Sequence, residues 1–207
     1  MGTSARIGMG AEAVIEETDY LGLRAVRKTR TKKGYRHDIL DARLRSGRTK
    51  NEVRIMREAR ASGVRTPVVY DVDTREGSIV MEYVDGERVK EIIDSEPGRI
   101  PEVCRLIGES VARMHNAGIC HGDLTTSNMI LTPSGELCIL DFSLGSTRCD
   151  VEGKGVDIHL MERAFTSSHS FSPEAFGIVM DTYMNKVEGA DEIAKRIENI
   201  KGRARYT

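Results

Sequence analysis

Long hydrophobic runs are missing from this sequence. No apolar stretch follows a basic region near the N-terminus, and no run approaches the about 20 apolar residues that span a bilayer. Internal repeats and low-complexity linkers are also missing. The 207 residues therefore suit one compact domain or two small lobes packed together, and we expect a cytoplasmic protein with no membrane contact.

Cysteine is scarce, and its spacing matches no zinc pattern. The four cysteines include no Cys-x-x-Cys pair and fit no zinc pattern: Cys104, Cys120, Cys138 and Cys149. Cys120 and Cys138 lie in or beside apolar runs, where a free thiol behaves as a small hydrophobic side chain. The sequence therefore predicts reduced, structural cysteines, with a metal site as the less favoured alternative.

The net charge of −1 hides an uneven distribution of charge. Residues 24–57 contain 13 Lys or Arg against 3 Asp or Glu, an excess of 10, so the rest of the chain carries −11. Such a basic block is typical both of a surface for phosphate-bearing partners and of a helix with solvated basic side chains. Charge alone does not separate these two interpretations.

The first half of the chain is rich in strand patterns. Residues 4–30 predict two strands and the start of a third, and residues 35–44 predict a loop or a short helical turn. Apolar residues at helical spacing predict a helix over 49–61 that stops at Gly63. Two further β-prone segments, 67–72 and 78–84, predict a hairpin.

Helical patterns dominate after Asp85-Gly86. An apolar stripe from Val103 to Met114 predicts a helix that ends at Gly118. Residues 129–131 and 137–140 predict a second hairpin, and residues 156–165 another helix. Ser172 as N-cap with Pro173 at the first helical position predicts a helix that continues to Tyr183. The expected fold class is α+β, with lobes at 1–84 and 85–207.

The strongest functional signal is His121-Gly-Asp123-Leu-Thr-Thr-Ser-Asn128, followed after a hairpin by Asp141-Phe142-Ser143. Phosphoryl transfer needs a carboxylate that orients the attacking hydroxyl or water, and Asp123 is the candidate. Asn128 and Asp141 offer the hard oxygen ligands that Mg²⁺ prefers. The order and spacing match a protein-kinase catalytic loop and its metal-binding Asp. A polar loop that caps strand ends is the non-functional alternative.

Upstream segments complete the pattern of a nucleotide site. A glycine-containing turn runs through Ile7, Gly8, Met9, Gly10, Ala11, Glu12 and Ala13, and is expected to cover phosphates. Lys28 on a strand is expected to reach the α- and β-phosphates, with Glu52 on the following helix as its partner. Met81, Glu82 and Val84 close a strand where backbone groups would meet adenine. His115 is expected to be packed, and His121 to brace the catalytic loop.

These motifs together resemble one particular family, the small kinase-like ATPase subunit of the KEOPS complex of archaea and eukaryotes. The resemblance covers nearly the whole chain. It is specific because His-Gly-Asp replaces the usual His-Arg-Asp and Asp-Phe-Ser replaces Asp-Phe-Gly. One departure is Asp38, where proline is expected. The matching stretches are Gly10–Ala13, Lys28-x-Arg30, Lys33–His37, Leu40-Asp41, Arg48–Glu52, His121–Asn128, Asp141–Ser143, Lys154–Asp157 and Lys201–Arg205.

The resemblance implies a bilobal kinase fold with a reduced C-terminal lobe, and ATP and Mg²⁺ as cofactors. It also implies assembly with a tRNA threonylcarbamoyladenosine synthase and small accessory subunits, in which ATP hydrolysis supports tRNA modification. Members of the family also phosphorylate themselves and some proteins. The basic block and a C-terminal tail could contact tRNA; a frayed basic terminus is the alternative for the tail. The tail comprises Lys195, Arg196, Lys201, Arg203 and Arg205.

Only about a dozen residues separate Asp141 from Val156, with no Ala-Pro-Glu signature and no long activation loop. A platform for peptide docking is therefore thin, while the nucleotide machinery is complete. This favours an ATPase within a complex over a free-standing protein Ser/Thr kinase. A non-catalytic scaffold that binds tRNA and holds nucleotide as a structural ligand is the third hypothesis.

Overall fold

The computed structural model describes residues 6–9 and 13–204. The N-terminal part is a five-stranded antiparallel sheet in the order β1-β2-β3-β5-β4, with one helix, α1, between β3 and β4. The bounds are β1 Arg6–Met9, β2 Ala13–Tyr20, β3 Leu23–Arg30, α1 Asp38–Ala61, β4 Val69–Asp73 and β5 Ser78–Glu82. The predicted strands and the hairpin at 67–84 are therefore confirmed.

The helix α1 is longer than the sequence pattern predicted. It begins at Asp38 and not at 49, so the prediction of a loop or short turn over 35–44 was wrong from Asp38 onward. The first turns hold a buried carboxylate in place of buried apolar side chains. Asp41 is fully buried, and its Oδ2 accepts a hydrogen bond of 2.8 Å from Arg45 Nε. Hydrophobic periodicity does not detect a helix that is anchored by an ion pair.

The C-terminal part is mostly helical, with one small sheet. The sheet has the order β6-β7-β8, and all its pairings are antiparallel. The bounds are β6 Glu87–Arg88, α2 Val89–Ser95, α3 Ile100–Asn116, β7 Met129–Leu131, β8 Leu137–Ile139, α4 Val151–Ser168, α5 Ala175–Met184 and α6 Ala190–Ala204. The α+β class with a β-rich first part and a helical second part is confirmed. The division at 84/85 stays a prediction.

One expectation about the last third was wrong, and one alternative does not hold for the described residues. The helix α5 begins at Ala175, and Ser172 belongs to the turn before it, where its carbonyl accepts from the Ala175 amide at 3.1 Å. The basic segment at 195–203 lies on α6 and is not a frayed tail. Arg196 pairs with Glu152 at 2.9 Å and Lys201 with Glu162 at 2.8 Å, so α6 packs against the acidic face of α4. Arg205 lies outside the described residues.

A continuous hydrophobic core joins the inner face of α1 to the helices of the second part. Ile55 and Met56 of α1 share it with Val103, Ile107 and Val111 of α3. Cys104 and Cys138 are free and buried, as predicted. The prediction of reduced thiols was wrong for Cys120 and Cys149, which form a disulfide. Their sequence separation of 29 concealed that the fold brings them together. Among the described helices, none combines the length and the apolar composition that a membrane span requires.

Candidate active site

The Lys28 ammonium is held by a buried ion-pair cluster between β3 and α1. Lys28 Nζ lies 2.7 Å from Glu52 Oε1, and Arg30 Nη2 lies 2.6 Å from Glu52 Oε2. All three side chains are at most 5 % exposed. Lys28 and Arg30 share one face of β3 because side chains alternate along a strand. One carboxylate therefore holds two cations in fixed positions, and the predicted pairing of Lys28 with Glu52 is present.

Lys28 also reaches across to the second part of the molecule. Its Nζ lies 2.7 Å from Asp141 Oδ1. Ser143 donates to the same oxygen through both its amide and its hydroxyl. Burial alone would raise the pKa of Asp141, but the nearby Lys28 charge and these hydrogen bonds outweigh burial and lower the pKa to about 2. Asp141 is therefore ionised at neutral pH. Its backbone has φ +57, an uncommon value for a residue other than glycine.

The catalytic loop places Asp123 and Asn128 side by side. Asn128 Nδ2 donates to Asp123 Oδ2 and to the Asp123 carbonyl, both at 3.0 Å. The Asn128 carbonyl accepts from the Leu140 amide at 2.8 Å, which ties this loop to the residue before Asp141. A continuous chain of contacts thus connects Glu52, Lys28, Asp141, Asn128 and Asp123. Side-chain contacts therefore join Lys28 to Asp141 and Asn128 to Asp123, and the backbone bond at Leu140 links the two predicted pairs.

His121 braces this loop, as predicted. Its Nδ1 accepts from the Asp123 amide at 3.2 Å, so the ring proton resides on Nε2, which donates to the Leu140 carbonyl at 2.8 Å. The ring is fully buried and packs against Phe142 with centroids 4.7 Å apart. His121 therefore joins the loop that carries Asp123 to the strand end that carries Asp141, without touching a reacting position.

Gly122 explains why His-Gly-Asp replaces the more common His-Arg-Asp. Its φ is +80, and a Cβ built there would lie 2.4 Å from the carbonyl oxygen of Leu144. A side chain at this position would push apart the catalytic loop and the segment after Asp-Phe-Ser. Glycine is the residue that permits this close approach of two backbones.

Asp157 lies in one of the stretches that carry the family resemblance, but no role was predicted for it. Asp157 on α4 is buried, and its carboxylate accepts from the His121 amide at 2.6 Å and the Gly122 amide at 2.8 Å. It also lies 3.3 Å from His115 Nε2, while His115 Nδ1 bonds the Tyr183 hydroxyl at 2.8 Å. Burial lowers the pKa of His115, which outweighs the opposite effect of Asp157. The packed, hydrogen-bonded role predicted for His115 is confirmed.

The sequence analysis missed a second network behind the loop, in which Thr126 and His169 are buried and Asp94 is exposed. Thr126 Oγ1 lies 2.8 Å from His169 Nε2, and His169 Nδ1 lies 2.7 Å from Asp94 Oδ1. Thr126 opens the short 3₁₀ turn that ends at Asn128. The three residues come from separate parts of the chain, so no local spacing could reveal them.

The predicted adenine edge lies at the end of β5. The Glu82 amide donates to the Val68 carbonyl at 2.8 Å, and the Glu82 side chain pairs with Arg65. Burial would raise the pKa of Glu82, but hydrogen bonds from Arg65 and the Val68 amide lower it. Met81 pairs with Val26 of β3, and Val84 follows β5 and is half-buried. The Glu82 amide is therefore already hydrogen-bonded within the fold. The Glu82 carbonyl and the Val84 amide are the candidates to bind adenine.

The predicted phosphate-covering turn is described only at its edges. Ile7, Gly8 and Met9 lie in β1, whose partner β2 starts at Ala13. Gly10, Ala11 and Glu12 lie outside the described residues. The turn therefore joins two paired strands of the sheet that also carries Lys28.

The residues present fit ATP with Mg²⁺. The hydrogen bonds to Asp141 all fall on Oδ1, so no described residue occupies Oδ2, and the side chain is 38 % exposed. Because Asn128 directs its Nδ2 at Asp123, its Oδ1 is the atom available to a cation. Two oxygen ligands beside a fixed ammonium match the needs of a metal-bound triphosphate. ATP would be held by Lys28 and the β1–β2 turn, and Mg²⁺ by Asn128 and Asp141.

A sheet with a buried Lys–Glu pair, set over a helical part with a His-x-Asp loop, defines the protein-kinase-like class. A family model for the RIO domain matches residues 16–150. The KEOPS complex subunit Bud32 of Pyrococcus abyssi is 41 % identical over 97 % of this chain and 95 % of its own length. The corresponding Dictyostelium discoideum subunit is 35 % identical over 96 % of this chain and 82 % of its own length. The chain therefore belongs to the RIO-domain, kinase-like family of Bud32 proteins.

Some relatives are longer proteins. A probable bifunctional tRNA threonylcarbamoyladenosine biosynthesis protein of Methanothermobacter thermautotrophicus is 39 % identical over 97 % of this chain. The chain spans 36 % of that relative's length, so it corresponds to one part of the bifunctional protein.

Proposed function

We propose that this protein is an ATP-hydrolysing, kinase-like subunit of a KEOPS complex that supports threonylcarbamoyladenosine modification of tRNA. Relatives that align over nearly the full chain carry the names of KEOPS subunits and of tRNA threonylcarbamoyladenosine biosynthesis proteins. The observation that carries the enzymatic part is the connected set Glu52–Lys28–Asp141 and Asp123–Asn128. The partners of the protein would be a threonylcarbamoyladenosine synthase, small accessory subunits and tRNA.

Each residue of the set has a distinct task in this proposal. Lys28, fixed by Glu52, binds phosphate oxygens and offsets their charge. Asp123 orients the attacking hydroxyl or water and takes its proton. Asn128 keeps that carboxylate in place, and Asn128 and Asp141 would hold Mg²⁺. Mg·ATP supplies the transferable phosphoryl group. The protein contributes position and charge, which is most of what this reaction needs.

Water is the acceptor that the geometry favours over a protein hydroxyl. Only residues 143–150 separate Phe142 from the start of α4 at Val151. Gly145 N bonds back to the Phe142 carbonyl at 3.1 Å, and Ser146 pairs with Cys120 in both directions at 2.9 Å. This segment is therefore short and tied down, and it offers little surface for docking a peptide. Ser/Thr kinase activity on itself or on other proteins is the alternative.

A contact with tRNA is best placed on the exposed face of α1. Arg43, Lys50, Arg54 and Arg57 are exposed and spaced by seven, four and three residues, which puts them on one side of the helix. The basic residues of α6 are less suited, because Arg196 and Lys201 already pair with α4. We expect Lys50→Gln with Arg54→Gln to weaken tRNA-stimulated ATP hydrolysis and its salt dependence. Lys90→Gln with Arg163→Gln, at exposed positions elsewhere, is the control.

The enzymatic proposal is tested with Asp123→Asn in the reconstituted complex. We expect ATP turnover to fall by about 10²–10⁴-fold, the contribution of a positioned proton acceptor. Asp181→Asn, an exposed carboxylate on α5, controls for loss of charge and should turn over ATP as the unmodified chain does. Full turnover and full tRNA modification by Asp123→Asn would reject the proposal and favour a scaffold with structural nucleotide. Strong protein phosphorylation that ignores partners and tRNA would favour a free-standing kinase.

A further inference from the structure

The disulfide encloses the catalytic residues of the second part of the molecule. Cys120 immediately precedes the His121-Gly-Asp123 loop, and Cys149 lies two residues before α4, next to its N-cap. Asp123, Asn128 and Asp141 all lie within the loop that the bond closes. The bond therefore closes the segment of the chain that carries the Asp123–Asn128 pair and Asp141.

Each cysteine is close in sequence to one side of the contact between Asp157 and the loop backbone. Cys149 is followed by Asp150, the N-cap of α4, whose Oδ1 accepts from the Gly153 amide at 2.8 Å. Asp157, further along α4, accepts from the His121 and Gly122 amides. The disulfide thus joins Cys120 to the start of α4, the helix that carries Asp157. Cys120 is the residue just before the two amides that the Asp157 carboxylate binds.

Backbone contacts keep the two cysteines adjacent without the sulfur bond. Cys120 and Ser146 exchange hydrogen bonds of 2.9 Å in both directions, and the Cys149 amide donates to the Gly118 carbonyl at 3.0 Å. The Cα atoms are 5.2 Å apart, within the range of disulfides. A Cβ on Gly153 would lie 2.8 Å from Cys120 Sγ, so a glycine inside α4 makes room for the sulfur. The pair is therefore preorganised to break and re-form.

We propose that Cys120 and Cys149 form a reversible thiol–disulfide site whose state sets how firmly the catalytic loop is held against α4. The reacting partner is a dithiol reductant, and its own disulfide form drives the reverse reaction. The effect on ATP turnover rests on the proposed function, whereas the thiol chemistry and the loop's mobility do not.

The exchange runs through the more accessible sulfur. Cys149 is half-buried and Cys120 is 7 % exposed, so a thiolate of the dithiol attacks Cys149 Sγ. The S–S bond breaks, Cys120 leaves as a thiolate and takes a proton from water, and a mixed disulfide remains at Cys149. The second thiol of the reductant, as a thiolate, then attacks the reductant's sulfur in the mixed disulfide. That S–S bond breaks, and Cys149 leaves as a thiolate and takes a proton from water. Two electrons have then passed from the dithiol to the protein.

Cys104 and Cys138 serve as internal controls for this chemistry. Burial raises the pKa of each thiol to about 12, so neither is a ready nucleophile. A competing use of the reduced pair is metal binding, because Cys120, Cys149 and His115 place one ligand atom each within 4.8 Å of one another. Both ring nitrogens of His115 are already engaged by Tyr183 and Asp157, which favours the disulfide.

The full chain is compared in its oxidised and dithiothreitol-reduced states. Alkylation of the denatured protein should label Cys104 and Cys138 alone before reduction, all four cysteines after it, and two again after treatment with oxidised dithiothreitol. Hydrogen exchange at the His121 and Gly122 amides should become on the order of tenfold faster on reduction. The thermal midpoint should fall by roughly 5–10 °C, as expected when a closed loop of this length opens.

Substitutions separate the site from a general effect of reductant. Cys149→Ser should reproduce the reduced state and no longer respond to dithiothreitol, while Cys104→Ala with Cys138→Ala should keep the full response. If the enzymatic proposal holds, ATP turnover should follow the exchange rates. Absence of turnover in every form would reject the proposed function and leave the thiol result standing.

Three outcomes would overturn the thiol–disulfide site. Four labelled cysteines after oxidised dithiothreitol would show that the bond does not form. Equal exchange at the His121 and Gly122 amides in both states would show that the bond does not hold the loop. One equivalent of Zn²⁺ retained by the reduced chain and lost in Cys149→Ser would assign the pair to metal binding.

Discussion

The two halves of the candidate active site are held in place by different means. On the sheet side, Lys28, Arg30 and Glu52 are almost completely buried, and charge fixes them. On the helical side, Asp123 is exposed, and its loop is held from behind by the buried side chains of His121, Asp157 and Thr126. The difference indicates that the cationic half is coupled to the stability of the fold, whereas Asp123 itself can change at little cost to stability.

The largest loss of stability is expected for Glu52→Gln. The variant leaves Lys28 and Arg30 buried with a neutral partner, and breaking a buried pair costs about 3–5 kcal/mol. Urea unfolding measures this loss, with Glu58→Gln on the same helix as control and an expected change within about 0.5 kcal/mol. Equal unfolding free energies for the two variants would remove the distinction between the halves.

A smaller loss is expected for Asp157→Asn. The variant weakens the hydrogen bonds to the His121 and Gly122 amides, and each bond to a charged group is worth about 1.5–3 kcal/mol. We expect the free energy of unfolding to fall by about 2 kcal/mol and exchange at these two amides to rise. If the stability falls while both amides keep their protection, Asp157 does not anchor the loop. Asp181→Asn is again the control.

The pH dependence of the free energy of unfolding should show the contribution of the ionised Asp141 carboxylate, which contacts both halves of the site. Its pKa is lowered to about 2 from 3.8, so its contribution to stability is complete above about pH 4 and is lost as the pH falls toward 2. Because the side chain is 38 % exposed, solvent screening limits the contribution to about 1 kcal/mol. The stability of Asp141→Asn should change less between pH 4 and 2 than that of the unmodified chain. Identical slopes would contradict this assignment.

The smallest change in stability is expected for Asp123→Asn. Its side chain is exposed, so the free energy of unfolding should change by no more than about 0.5 kcal/mol. The comparison is sharpest when this variant is measured beside Glu52→Gln. Asp123→Asn should reduce ATP turnover alone, whereas Glu52→Gln should reduce both ATP turnover and stability. A large destabilisation by Asp123→Asn would show that the exposed side of the site also supports the fold.

The proposed catalytic residues of the helical side were predictable from sequence because they lie in two short motifs with fixed spacing. Asp123 and Asn128 are five residues apart, and Asp141 follows one hairpin later. The supports behind them were not predictable. Asp94, Thr126 and His169 meet from separate elements, and Asp157 acts 34 residues after Asp123. Periodicity likewise failed at the start of α1, where a buried carboxylate replaces the apolar pattern.

The Cys120–Cys149 bond shows the same limit. Neither cysteine lies in a motif, and only the return of the chain at Ser146 places them side by side. Counting cysteines could suggest possible pairs but could not select one of them.

Gly122 lacks the side chain on which one common means of kinase control depends. Many protein kinases are switched on when a phosphorylated activation loop forms new pairs with arginines, which order the segment beside the catalytic aspartate. Here no side chain stands at that position, and the Leu144 carbonyl occupies the place where one would begin. A phosphate added to the neighbouring segment would find no arginine at residue 122, so the pairing that orders this segment in those kinases cannot form at that position.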